Sequence, residues 1–369
     1  MKFKISKNEL LDNILFISKA TTPKSTIIAL GGVMIEAGEK LSIYSTDLET
    51  SINVDFKSKI IEKGRVVVSA KVLLNILKSF PEAKIELELI HTTNQLKITC
   101  QNATFNLNTF SIEDYPKFPK INKENNFSLS LKKFKNIISK VGKAVSIDES
   151  RTILTGVLIE ASNNSLKIVA TDSYRLSFIE EKMDFKGKPL KIIVPYKALD
   201  NLLKSEFVDD EIKVNVEENQ ISFNLKKGKD INTTIISRLL SGKFPEYKKL
   251  IPSIIKHNIV INKEEILEVV RRISSISQDN IPIKLDIYGG KIIVSMNIRE
   301  VGSSSEELEV AYQEERIESA FNPKFLIDGI ETISDKNIIF CVNGPLEPVL
   351  LKPEKAEDLI YLLMPVRIS

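Results

Sequence analysis

Residues 31–50, GGVMIEAGEKLSIYSTDLET, and residues 155–175, TGVLIEASNNSLKIVATDSYR, carry one pattern twice. Val33 falls on Val157, Ile35 on Ile159, Glu36 on Glu160, Thr46 on Thr171 and Asp47 on Asp172, at an offset of 124 to 125 residues. A second pair, SAKVLLNILKS from Ser69 and VPYKALDNLLKS from Val194, matches at Lys71/Lys197, Asn75/Asn201, Leu77/Leu203 and Lys78/Lys204, at an offset of 126. Two segments repeating in the same order at nearly the same spacing mark an internal repeat, which decides the architecture before any single motif does. The last third keeps the order more faintly, in IPIKLDIYGGKIIVSMNIRE (281–300) and FNPKFLIDGIETIS (321–334). The chain therefore divides into three units, near 1–122, 123–252 and 253–369.

Each unit opens on an amphipathic segment with apolar residues at helical spacing: Leu10, Ile14 and Ile17; then Leu131, Phe134, Ile138, Val141 and Val145; then Ile266, Val269, Val270 and Ile273. Period-two runs follow, such as Ile85-Leu87-Leu89, Leu96-Ile98-Cys100, Ile212-Val214-Val216 and Ile283-Leu285-Ile287, and these read as antiparallel strands. Turn residues recur between them at Gly38-Glu39-Lys40, Asn163-Asn164 and Gly289-Gly290, and again at Thr93-Asn94, Asn219 and Asn343-Gly344. The expected fold class is α+β, with two helices per unit packed on one face of hairpin-built sheet.

Composition narrows the chemistry. A 369-residue chain with 43% hydrophobic and 27% charged residues has ordinary globular values and room for two or three cores. The N-terminal MKFKISKNEL has charge but no apolar stretch of signal-peptide kind, and no run approaches a membrane span, so a cytoplasmic location is expected. Cys100 and Cys341 lie in alternating apolar runs, where they read as small buried hydrophobes. With only His91 and His257 available, a zinc site or a Ser-His-Asp triad has little to build with.

One stretch invites a catalytic reading: IVATDSYRLS, 168–177, crowds Asp172, Ser173, Tyr174 and Arg175 into a strand end. The alternative is a turn in which Asp172 bonds its own backbone. The repeat favours the turn, because Asp47 holds the same place in the first unit without a matching arginine. A catalytic Asp172 also calls for a metal or base partner, and no histidine or carboxylate cluster of ligand spacing is close by.

Charge is informative through its distribution. The net charge is only +3, but the helical segment 131–145 carries Lys132, Lys133, Lys135, Lys140 and Lys143 with no acid, and the six helical segments together carry +7. If the units repeat by rotation, those helices share one face, and a basic face suits a polyanion such as duplex DNA.

Several segments closely resemble the bacterial sliding clamp family, the β subunit of DNA polymerase III: ESRTILTGV (149–157), ATDSYRL (170–176), SRLLSGKFPEYKKLIP (237–252) and LMPVRI (363–368), together with the MKF start and the threefold repeat. The resemblance runs the full length. It implies a head-to-tail homodimer whose six domains close into a ring around double-stranded DNA. Such a ring is a non-catalytic processivity factor needing no cofactor or metal, and it tethers the replicative polymerase α subunit, the clamp loader and repair proteins bearing a short clamp-binding motif. It implies interface positions at Phe105 and Leu107 on the first unit, and at Ile273 and Ile276 on the third. Lys24 and Lys71 match family positions that touch the duplex. Lys132, Lys133, Lys135, Lys140 and Lys143 are added from helix charge, and Lys197 as the repeat partner of Lys71.

The resemblance further implies a peptide-binding groove between the second and third domains. Its expected wall begins with Leu154, Thr171, Tyr174, Arg175 and Leu176, and continues through Pro245, Lys249 and Leu250. The third domain would add Asn322, Phe325, Leu346 and Pro348, and the tail would add Leu363, Met364, Pro365, Val366, Arg367 and Ile368. Aliphatic walls, a repackable methionine and two arginines at the rim make reasonable peptide-binding chemistry. The chain departs from the family in Ser173-Tyr174, where Gly-His is frequent, in Lys249, where Arg is common, and in Ser369, one residue past the usual end. The competing readings are the enzyme centred on Asp172 and an open, non-ring nucleic-acid-binding protein.

Overall fold

The computed structural model describes residues 1–122, 125–162, 164–183, 185, 187–204, 210–227, 231–277, 281–355 and 358–367. Ile368, Ser369 and Asn163, which enter the expectations above, lie outside the described residues. Among the described residues there are six α-helices, two to each repeat: α1 Lys7–Ile17, α2 Ala70–Ser79, α3 Leu131–Val141, α4 Tyr196–Leu203, α5 Lys263–Ser274 and α6 Pro323–Thr332. On α1, α3 and α5 the apolar stripes are the ones that the spacing marks, except that Val145 lies in extended backbone past α3 because the helix ends at Val141. Leu10, Ile14 and Ile17 are buried on α1, Leu131, Phe134, Ile138 and Val141 on α3, and Ile266, Val269, Val270 and Ile273 on α5.

The starts of α5 and α6 follow from capping chemistry. Asn262 accepts hydrogen bonds from the Glu264 and Glu265 amides, and the acids of that first turn and Arg271 and Arg272 in the last both complement the helix dipole. Asn322 does the same for Lys324 and Phe325, with Pro323 pre-set at the first helical position.

The described strands form three antiparallel sheets, of thirteen, eight and four strands. The chain compacts into two units, and the middle repeat is divided between them. The first unit holds residues 1–135 and 197–239. Here strand Ile231–Arg238 of the middle repeat pairs with Thr50–Phe56 of the first, Ser237 opposite Thr50 and Ile235 opposite Ile52, so one sheet runs through both repeats. The second unit holds residues 136–196 and 240–369. In it, strand Arg175–Lys182 pairs with Leu359–Leu363, Arg175 opposite Leu363 and Ser177 opposite Tyr361, which joins the middle repeat's other strands to the third repeat. The sequence pattern supports three repeats but says nothing of this division, because strand partners far apart in the chain leave no local signal.

Beneath that junction lies a core of Leu158, Val169, Leu176, Ile193, Phe244, Tyr247, Cys341, Leu350 and Leu362. Cys341 and Cys100 are both buried and free, as their alternating runs lead one to expect.

Candidate docking groove and lysine face

The Thr-Asp turn is built by its own side chains. Asp172 Oδ1 accepts from the backbone N–H of Tyr174 at 2.9 Å and of Arg175 at 3.0 Å. Thr171 Oγ1 donates to the Arg175 carbonyl at 2.7 Å and accepts from Ser173 N at 3.2 Å. These bonds hold Ser173 at φ +80°, a conformation that favours glycine. The turn thrusts Tyr174 outward and sends Arg175 inward.

Arg175 is only 7% exposed. Its Nε donates to Asp172 Oδ2 at 3.0 Å, and its Nη1 donates to Asp328 Oδ2 at 2.5 Å and to the Tyr361 hydroxyl at 3.3 Å. The guanidinium carbon sits 4.1 Å from the centre of the Phe325 ring. Burial works against the charge, but Tyr361, Asp328 and Asp172 outweigh it and hold the guanidinium above its ordinary pKa. Burial likewise raises the Tyr361 hydroxyl, with Arg175 pulling the other way. The expected rim arginine is therefore a buried strut, because two carboxylates compensate it from below. Gly329 lets α6 come close enough for this: a Cβ there would meet the Tyr361 ring at 2.6 Å.

Above the strut lies an apolar rim. Tyr174, Leu250, Leu346, Met364 and Val366 are 60, 44, 55, 37 and 39% exposed. Met364 N donates to the Tyr174 carbonyl at 2.9 Å, and Leu363 lies opposite both Arg175 and Val349, so turn, tail and the Leu346-Pro348 loop are drawn together. Leu250 follows the 3₁₀ turn Tyr247–Lys249, whose Tyr247 packs in the core beside Leu176 and Leu362 and donates to Glu160 at 2.9 Å. Pro245 is exposed, whereas Phe325, Pro348 and Pro365 are half-buried.

Other expected wall residues form the floor: Thr171, Leu176 and Leu363 are fully buried and Leu154 nearly so. Asn322 spends its side-chain oxygen on the α6 cap. Lys249 is exposed but paired with Glu246, and Arg367 is exposed.

The lysines differ in exposure and in pairing. Lys24, Lys71, Lys132 and Lys133 are exposed. Lys197 is exposed yet pairs with Asp47 at 2.7 Å. Lys143 pairs with Glu331, and Lys140 donates to Ser334 at 3.0 Å. Burial lowers Lys135 and Lys140 from the ordinary lysine value. Acids distant in sequence thus already neutralise Lys143 and Lys197.

At the expected interface positions, Phe105 is 39% exposed and Ile276 half-buried. Leu107 and Ile273 are buried within the chain itself, on strand Ala103–Phe110 and α5. Asp328, Glu331, Tyr361 and Gly329 escaped the sequence reading. Asp328 and Glu331 stand at i, i+3 on one helix face, which is a visible spacing, but their cationic partners are not local to it.

Family models for the DNA polymerase III beta subunit match the chain in tandem: the N-terminal domain over residues 1–119, the central domain over 128–246 and the C-terminal domain over 248–367. The chain is 31% identical to the beta sliding clamp of Halalkalibacterium halodurans and 29% identical to that of Bacillus subtilis, over the whole of each protein. It superposes on the crystal structure of the Bacillus subtilis sliding clamp with a TM-score of 0.94 at 28% identity, and on a Bartonella birtlesii sliding clamp bound to griselimycin at 0.93 and 25%, each over the full length of both chains. Repeat, paired helices and shared sheets define a protein of three tandem clamp domains. The chain belongs to the DNA polymerase III beta subunit family.

Proposed function

We propose that two copies of this chain close head to tail into a ring that encircles duplex DNA without reading its sequence. The ring tethers the replicative polymerase, the clamp loader and repair proteins through the groove around Tyr174, Leu250, Leu346 and Met364. The observation that carries this reading is the tandem match of all three family domains across the chain. We set the domain limits at 1–122, 123–252 and 253–369.

Physical features support each part. Among the described residues, strand Ala103–Phe110 meets Gly64–Ser69 only at Thr109 and Phe110, which leaves one edge open over most of its length beside exposed Phe105. Strand Gly302–Glu309 is an edge of the four-stranded sheet. Open edges of this kind are normally covered, and head-to-tail pairing of unlike edges closes into a ring. Lysines such as Lys24, Lys71, Lys132 and Lys133 supply phosphate contacts that carry no sequence information, which is what sliding requires. The groove offers a neutral apolar rim of the kind that receives short apolar-aromatic peptides. Asp172, the centre of the enzyme reading, has both carboxylate oxygens committed to its turn and to Arg175, which argues for a non-catalytic role.

Sedimentation equilibrium tests the assembly. The expected mass is twice the 41.6 kDa chain; a stable monomer at micromolar concentration contradicts the ring.

A further inference from the structure

Beneath the groove, six charges balance one another. Arg175 holds Asp172 and Asp328, Lys143 holds Glu331 and stands 3.8 Å from Asp328, and Arg271 donates to Glu331 at 2.6 Å. Asp328 and Glu331 share one face of α6 at i, i+3. The Lys143 bond is the leading cause of the lowered pKa of Glu331. Lys143 lies in the 3₁₀ turn just past α3, at the end of the lysine row, whereas Arg175 stacks on Phe325 at the groove. Lys143 and Arg175 are therefore joined by a pair of carboxylates.

We propose that Asp328 and Glu331 form a carboxylate relay through which DNA in the ring tightens the groove, with Asp328 as the residue positioning Arg175 and Phe325. The inference rests on the ring-and-groove reading above. A phosphate that engages Lys143 draws it away from the carboxylates. Asp328 is then compensated by Arg175 alone and holds the guanidinium more firmly against Phe325. A wall fixed in advance loses less side-chain freedom when a peptide docks, so affinity rises. By linkage, a docked peptide strengthens the hold on DNA by the same factor.

The test uses a fluorescently labelled hexapeptide with leucine and phenylalanine anchors, titrated by anisotropy against the full-length ring, free and loaded on nicked circular DNA at one salt concentration. Wild type is expected to bind about fivefold tighter when loaded. The Lys143→Met ring is expected to bind at the tight value already when free, with no gain on DNA. Asp328→Asn is expected to bind more weakly in both states and also to lose the gain, with its mass and thermal midpoint checked to exclude misfolding. Equal or looser wild-type binding on DNA overturns the relay, as does a gain that persists in Lys143→Met. If no peptide binds either form while the ring stays on circular DNA, the groove reading fails and takes this inference with it.

Discussion

Asp47 and Asp172, 125 positions apart, make the same turn: each Oδ1 accepts from the backbone N–H two and three residues on, Glu49 and Thr50 in one case, Tyr174 and Arg175 in the other. Their second oxygens part company. Asp47 Oδ2 receives Lys197 from the surface, whereas Asp172 Oδ2 receives the buried Arg175 guanidinium. A scaffold turn shared by two repeats thus gains, in the second, a buried arginine that stacks on Phe325.

Replacing that arginine is costly. Arg175→Ala leaves Asp172 and Asp328 facing an emptied, buried volume, and the expected loss is about 3–5 kcal/mol of unfolding free energy. Arg175→Lys keeps the charge but not the forked geometry or the stacking on Phe325, so it recovers only part of the loss. Denaturation in urea measures both. A lysine variant as stable as wild type contradicts the account of Arg175 as a directional strut.

Gly329 tests the same strut from the other side. Gly329→Ala places a methyl group against the Tyr361 ring, which is buried and has no room to retreat. A cost of about 1–3 kcal/mol is expected from the forced shift of α6, together with weaker peptide binding because Asp328 moves with the helix. Unchanged stability and affinity contradict the close packing described.

The tail is tied down by two backbone bonds, Met364 N to Tyr174 O and Val366 N to Ala320 O. Deleting Met364 to Ser369 removes part of the rim but none of the open edges assigned to the dimer. Peptide binding is expected to vanish in an anisotropy titration while the sedimenting mass stays that of two chains. Dissociation to monomers places the tail in the interface instead.

Much of this was legible in the sequence. The apolar spacing of α1, α3 and α5 marks their buried faces, and the repeat identifies Asp47 and Asp172 as one scaffold feature. What stayed hidden depends on partners distant in the chain. Nothing near Arg175 announces Asp328, 153 positions away, so the arginine reads as a rim group until its burial is known. The same reason explains Lys143 and Lys197, whose partners Glu331 and Asp47 lie far away in the sequence. Leu107 and Ile273 follow the reverse logic: an apolar residue at an interface position is indistinguishable in sequence from one that packs inward.

Acid should weaken the protein through carboxylates held below their ordinary pKa. The Lys143 hydrogen bond lowers Glu331, and the Arg316 pair lowers Asp286, with burial opposing in both. A depressed folded-state pKa contributes stability that is fully present above the unfolded value of about 4 and is lost as pH falls through the folded value. Between about pH 5 and 3 the thermal midpoint of wild type is expected to fall further than that of a Glu331→Gln, Asp286→Asn variant. An equal fall in both shows that these pairs contribute nothing to acid sensitivity.

The ring itself is tested most directly by topology. Protein loaded onto nicked circular DNA and washed at about 1 M salt, where the Debye length shrinks to about 3 Å and phosphate contacts are screened, is expected to remain bound. It is expected to run off once the same DNA is cut to a linear form. Equal loss from circular and linear DNA contradicts a closed ring and leaves an open DNA-binding protein in its place.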